Sequence, residues 1–183
     1  IREHDDHWRI GATTTWTDVL RAPLPRWFRC LQLAAREVGG VQIQNTGTVA
    51  GNVCNASPAA DGVPALLALD AEVELASVRG ERRMPRKYLV ISIVMVAGLV
   101  DCDDAGGVTH SALAVGACSP VARRLASLEA KLLGRSCDES LTQLASAEDL
   151  DVLAPIDDVR GTADYRRDAA LSLVRRTLSE LAA

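Results

Sequence analysis

The sequence predicts an α+β fold in two parts: a mixed helix and strand portion over residues 1–90, then a small antiparallel sheet with helices over residues 91–183. Three observations predict it. Two β-rich runs, residues 91–100 and 108–118, are separated by Asp103-Asp104-Ala105-Gly106-Gly107, a turn composition that favours an antiparallel hairpin. Helical stripes follow that hairpin as a block and do not alternate with single strands, which argues against a doubly wound sheet. The 183 residues, 48% hydrophobic and 24% charged, suffice for one generous domain or two small ones with a sizeable core. Aromatic residues make up only 3%, so that core rests on Leu, Val, Ile and Ala.

Residues 7–12 alternate Trp8 and Ile10 with polar neighbours, as a short half-buried strand does. Thr13, Thr14 and Thr15 offer hydroxyls to cap a helix running to Leu20. Trp27, Leu31, Ala34 and Val38 form one helical stripe, with Trp27 expected as a core anchor, and Gly39-Gly40 end it. Residues 41–58 are small, polar and glycine-bearing, and residues 45–61 read as a loop. A compact Leu- and Ala-rich helix over residues 59–70 follows. Residues 72–77 read as a strand, and Arg79-Gly80 as a turn into a returning strand near Met84. After the hairpin, Ser119-Pro120 has the chemistry of a helix start, with Val121, Leu125, Leu128 and Leu132 as its stripe and Gly134 as its stop. Ser136 and Glu139 read as a capping box for a helix through Leu144. Leu171, Val174, Leu178 and Leu181 stripe a terminal helix starting near Ala163.

Charge and composition exclude several function classes. A net charge of -4 argues against nucleic-acid binding. The longest apolar candidate, residues 88–100, is too short to span a bilayer and ends at Asp101. Cys30, Cys54, Cys102, Cys118 and Cys137 are scattered without a C-x-x-C pair, which reads as reduced cytoplasmic thiols, not a disulfide framework or a cluster site. His4, His7 and His110 share no metal-ligand spacing. The pairs Arg123-Arg124, Arg166-Arg167 and Arg175-Arg176 read as solvated faces, with Asp164 able to pair with Arg167. No nucleophilic triad can be assembled, and no catalytic residue is assigned.

The chemistry concentrates in residues 45–61. Gly47 and Gly51 lack Cβ and can take positive φ, letting the backbone, with Val49 and Ala50 between them, lie against a ligand. Successive amides in such a turn form an anion-binding concavity suited to a pyrophosphate. Thr48, Asn52, Asn55 and Ser57 add hydroxyl and amide groups. Asp61, poor company for phosphate, suits a ribityl or ribose hydroxyl. The alternative is a polar loop that caps the next helix, with Asn and Gly serving the turn. The P-loop and the dinucleotide fingerprint are both absent.

Asn45-Thr-Gly-Thr-Val-Ala-Gly-Asn-Val-Cys-Asn-Ala-Ser-Pro-Ala-Ala-Asp61, leading into Leu66-Leu-Ala-Leu-Asp-Ala71, closely resembles the second flavin-contacting loop in the FAD-binding (medium) subunits of the xanthine dehydrogenase and carbon monoxide dehydrogenase molybdenum hydroxylases. Ala50 stands where that family has the first of two paired glycines. Ile10-Gly-Ala-Thr-Thr14 is similar to the family's earlier strand and turn. Val115-Gly-Ala-Cys-Ser-Pro120, Glu129 with Leu133-Gly134, and Asp158-Val-Arg-Gly-Thr-Ala-Asp-Tyr-Arg-Arg167 with Leu173-Val-Arg-Arg176 resemble its C-terminal domain.

The resemblance implies part of a two-subdomain FAD-binding domain followed by the flavoprotein C-terminal domain. It implies FAD held by Gly47, Thr48, Val49, Ala50, Gly51, Asn52, Asn55, Ser57 and Asp61. Iron–sulfur and molybdopterin cofactors would lie on partner subunits, with electrons leaving to NAD or another acceptor. The family's first glycine-rich loop and a segment expected between Val90 and Ile91 are missing. A flavin-free structural subunit of the same fold and a phosphate-ligand module without redox role are the rival readings.

Overall fold

The computed structural model describes residues 1–74 and 92–182. At the amino end β1 (Arg2–Glu3) and β2 (Trp8–Arg9) form a two-stranded antiparallel ribbon. Helix α1 (Trp16–Arg21) starts where the threonine run places it. The Asp18 amide donates to the Thr15 hydroxyl at 3.1 Å, and the Thr15 amide donates to the Asp18 carboxylate at 2.8 Å. A 3-10 turn at Arg26–Phe28 leads into α2 (Arg29–Glu37), and Gly39 at φ +52° turns the chain out of it. Three short helices follow: α3 (Val41–Thr46), α4 (Val49–Asn55) and α5 (Gly62–Ala68).

Two expectations need correction here. Residues 45–61 are not one loop, because they open in the last turn of α3 and contain the whole of α4. Trp27 is not a core anchor; it is 48% exposed, whereas Trp16 is 1% exposed at the centre of the amino-terminal core. The tighter 3-10 turn ahead of α2 rotates the stripe, so Phe28, Leu31, Ala35 and Val38 point inward.

The hairpin forms as expected: β3 (Met95–Cys102) pairs antiparallel with β4 (Val108–Gly116). β5 (Arg123–Arg124) adds to the other edge of β4, giving the strand order β3-β4-β5. Side-chain alternation makes this sheet two-faced. Ala97, Leu99 and Ala112 join the core formed with Trp16, Leu31 and Ala65. Val96, Val100, Leu113 and Val115 join the second core with α6 (Ala126–Leu132), α7 (Leu141–Leu144) and α8 (Ala163–Leu181). Two glycines permit the close approach. A Cβ on Gly116 would lie 2.8 Å from Pro64 of α5, and one on Gly98 would lie 2.8 Å from Thr177 of α8. Helices from both parts of the sequence thus sandwich one sheet.

Tertiary pairing displaces two expected helix starts. Ser119-Pro120 opens no helix, since β5 takes the backbone to pair with Ala114 and Val115, and α6 begins only at Ala126. The Ser119 hydroxyl instead donates to Cys118 O at 2.6 Å and accepts from the Ala154 amide at 3.0 Å. Ser136 bridges to Gly107, leaving α7 to begin at Leu141. The capping partners lie further on, where the Asp149 carboxylate accepts from the Ser146 amide and hydroxyl. α8 follows expectation: Thr162 caps it, and Val174 and Leu178 are fully buried.

The arginine pairs are not simple solvated faces. Arg166 is wholly buried, bonds Asp158 through two 2.8 Å contacts, and donates to Ser92 O and Ile93 O. Arg124 ties Glu129 to Leu67 O, and Arg175 donates to Ala145 O at 2.8 Å. Arg167 leans towards Asp151 and Leu153 O, not Asp164. Of the strand expected over residues 72–77, residues 72–74 form no strand; its remainder, the turn, the returning strand and the 90/91 junction lie outside the described residues.

Candidate functional site

The site is built around the first turn of α4. The Val49 amide donates to Thr14 O at 3.0 Å and the Trp16 amide to Gly47 O at 3.1 Å, strapping the start of α4 to the start of α1. The Thr48 hydroxyl caps α4 by accepting from the Gly51 amide at 2.9 Å. The Asn52 amide donates to Thr48 O at 3.0 Å.

This arrangement overturns the positive-φ reading of the glycines. Gly47 sits at φ -70°, and Gly51 lies inside α4. Their missing Cβ atoms serve the fold: at Gly47 one would lie 2.9 Å from Ile43 O, and at Gly51 one would lie 2.9 Å from the Thr48 hydroxyl oxygen. The Val49, Gly51 and Asn52 amides are engaged within the protein, so the expected anion-binding turn is replaced by a capped helix. Ala50 sits within the first turn of that helix, where a Cβ is accommodated.

Thr48, Gly51 and Asn52 are brought together, and Asn52 reaches across to the start of α5. Its Oδ1 is buried with no hydrogen-bond partner, 3.2 Å from where a Gly62 Cβ would lie, beside the Trp16 ring. Asp61, the residue before Gly62, is half-buried and makes no capping bond to α5; burial raises its carboxyl from the ordinary value. Asn55 and Ser57 lie at the other end of α4, about 10 Å along the helix at 1.5 Å per residue. Asn55 is exposed there, and Ser57 accepts from the Ala59 amide at 3.2 Å. Between them Ala56 takes φ +50° to end α4. Sequence reasoning missed Trp16 and Gly62, which form the floor beneath Asn52. The one signal for Gly62 was its place directly after Asp61 at the head of an apolar run.

Residues 1–96 match the family model described as the FAD binding domain in molybdopterin dehydrogenase, and residues 82–181 match that of the CO dehydrogenase flavoprotein C-terminal domain. The chain belongs to this family.

Among its relatives is the nicotinate dehydrogenase FAD-subunit of Eubacterium barkeri, 46% identical over 85 residues. That match covers 46% of this chain and 29% of the relative, so it spans under a third of that protein's length. The carbon monoxide dehydrogenase medium chain of Hydrogenophaga pseudoflava is 22% identical over 218 residues, covering 98% of this chain and 76% of the relative. An alignment of 218 residues on a 183-residue chain means that the relative carries residues with no counterpart inside the matched range. The fold superposes on a solved carbon monoxide dehydrogenase from the same organism with a TM-score of 0.75 at 23% identity, covering 94% of this chain and 74% of that one. Quinoline 2-oxidoreductase from Pseudomonas putida 86 gives 0.72 at 19% identity, over 94% and 74%.

FAD carries ribityl and ribose hydroxyls and ring N–H groups alongside its pyrophosphate. An orphaned, buried acceptor at Asn52 Oδ1 fits these donors, because it needs one the protein does not supply, and the half-buried Asp61 carboxyl offers a second acceptor.

Proposed function

We propose that the chain is the FAD-binding subunit of a molybdenum hydroxylase-type oxidoreductase. The observation that carries this reading is the unpartnered Asn52 Oδ1 beneath the Thr48-capped helix, within the region that matches the family's FAD domain. Asn52 and Asp61 accept from cofactor hydroxyl or N–H groups. Thr48 keeps its hydroxyl hydrogen for an outward bond while its oxygen caps α4. Gly47, Val49, Ala50 and Gly51 set the backbone, and Asn55 and Ser57 complete the far end of the same wall. Bound FAD would supply the two-electron chemistry by which such a subunit relays electrons from a partner's iron–sulfur clusters to NAD or another acceptor. The molybdopterin would lie on a further partner subunit.

Five unpaired cysteines support a reducing, cytoplasmic setting. Among the described residues no helix is long and apolar enough to cross a membrane.

One observation favours a second reading, a flavin-free structural subunit: the aligned medium chain carries residues that have no counterpart here. Titration of the flavin-free protein with FAD, followed by flavin fluorescence, separates the two. Saturable binding that weakens in Asn52→Ala supports the first. Absence of binding, with the protein fully folded, refutes the first.

A further inference from the structure

The outer face of α2 carries a row of like charges. Residues 19–36 hold Arg21, Arg26, Arg29 and Arg36 and no carboxylate, in a chain whose net charge is -4. Arg26 opens the 3-10 turn, and Arg29 stands one turn later at the first position of α2. Arg29, Leu33 and Arg36 recur at spacings of four and three, on the side of α2 away from the buried Leu31, Ala35 and Val38. All of this row is exposed, and so is Trp27 at its amino end. Among the described residues Arg26, Arg29 and Arg36 form no ion pair. A helix start favours acids, yet the first turn of α2 has none, and Arg26 and Arg29 stand there one turn apart. Dipole and like charge both work against that placement, and no bond within the described residues offsets it.

We propose that this face is the docking surface for an acidic patch on the iron–sulfur partner subunit, an inference that rests on the function proposed above. Arg and Trp are side chains that protein interfaces concentrate, and Leu33 adds an apolar contact between two guanidiniums. Each guanidinium offers a planar fork of donors that matches a carboxylate. Charge selects the chemistry of the partner. An acidic protein patch meets the row locally, whereas the net charge of -4 repels a nucleic acid, whose charge extends past this one face. Position selects the subunit. α2 lies against α5: Cys30 Sγ approaches Ala65 O at 4.0 Å, and Leu31, Ala35 and Ala65 share one core. α5 begins at Gly62, directly after Asp61, beneath the candidate flavin wall. A partner seated on α2 is one helix away from that wall, where a donor of electrons to the flavin belongs.

The test purifies the assembly from its own host through a tag on this chain and measures FAD and iron per chain. The parent assembly should carry both. Arg29→Glu combined with Arg36→Glu should keep the FAD and lose iron roughly tenfold or more, because the acidic patch is now repelled. Arg135→Glu, equally exposed but in the α6–α7 connection, should keep both. Raising the ionic strength should strip iron from the parent as well. A photo-crosslinking residue in place of Leu33 tests the same face without a change of charge. It should join this chain to an Asp- or Glu-rich segment of the subunit that ligates the iron–sulfur clusters. Full iron content in the double variant would overturn the docking assignment and leave the FAD reading standing. So would a cross-link to the molybdopterin subunit, to a second copy of this chain or to no protein. A parent assembly without FAD would instead remove the functional reading, and this inference with it.

Discussion

Gly62→Ala is the sharpest test of the floor beneath Asn52. Placed in an open helical position, this change normally stabilises by about 0.4–1 kcal/mol, because it restricts the unfolded chain. Here the new methyl would fall inside the Trp16 ring at Cη2, with Trp16 Cζ2 and Asn52 Oδ1 both at 3.2 Å. Trp16 is 1% exposed and held among Val19, Leu31 and Ala65, so it has nowhere to swing. Overpacking of this kind costs about 1–3 kcal/mol, leaving a net loss of about 1–2 kcal/mol after the backbone gain. With a urea slope of about 1–3 kcal/mol/M, the unfolding midpoint should fall by roughly 0.3–2 M, followed by circular dichroism. Gly40→Ala is the control: its new methyl would meet only Gln42 Oε1 at 3.4 Å, so stability should hold or rise slightly. Combining Gly62→Ala with Trp16→Leu should cost less than the sum of the two single changes, because the smaller side chain removes the clash. A Gly62→Ala protein as stable as the parent would refute the packing described around Asn52.

Other perturbations separate cofactor contact from scaffold. Asn52→Ala should leave the urea midpoint nearly unchanged, since Oδ1 has no partner to lose, yet weaken FAD binding roughly tenfold to a hundredfold by fluorescence titration. Thr48→Val should cost about 1 kcal/mol of stability through the lost cap on α4, and also reduce FAD affinity; unchanged affinity in both variants would remove this helix from the site. Leu178→Ala, wholly buried on α8, should destabilise by about 2–5 kcal/mol without altering the spectrum of any bound flavin. Burial raises the Asp149 carboxyl, but hydrogen bonds from Lys131 and Ser146 outweigh that and hold it below its usual 3.8. Its stabilisation is therefore present above 3.8 and lost as pH falls through the lower folded value. Urea midpoints of Asp149→Asn should accordingly decline less steeply than those of the parent below that pH.

The sequence by itself determined what depends on neighbours along the chain. The Thr15 cap, the turn between β3 and β4 and the stripe on α8 all follow from residues within a few positions of one another. The residues of the candidate site were legible by kind and place, with Thr48, Asn52 and Asp61 in one short arc.

Tertiary structure decided everything that two helix starts or two side chains had to compete for. Ser119-Pro120 and Ser136 each offer a cap worth about 1 kcal/mol. Backbone pairing with β4 and with Gly107 claimed those segments instead. Periodicity identified an apolar stripe near α2, but a preceding 3-10 turn rotated it and exchanged Trp27 for Phe28. Arg166 looked like half of a solvated pair, and only the fold brought Asp158, Ser92 and Ile93 to surround it. Gly47 and Gly51 suggested freedom of φ, whereas close approach to Ile43 and Thr48 is their use. The physical reason is common to all of these. Local preferences are worth about one kcal/mol each, and a buried contact between segments distant in sequence can outweigh one while leaving no local signature.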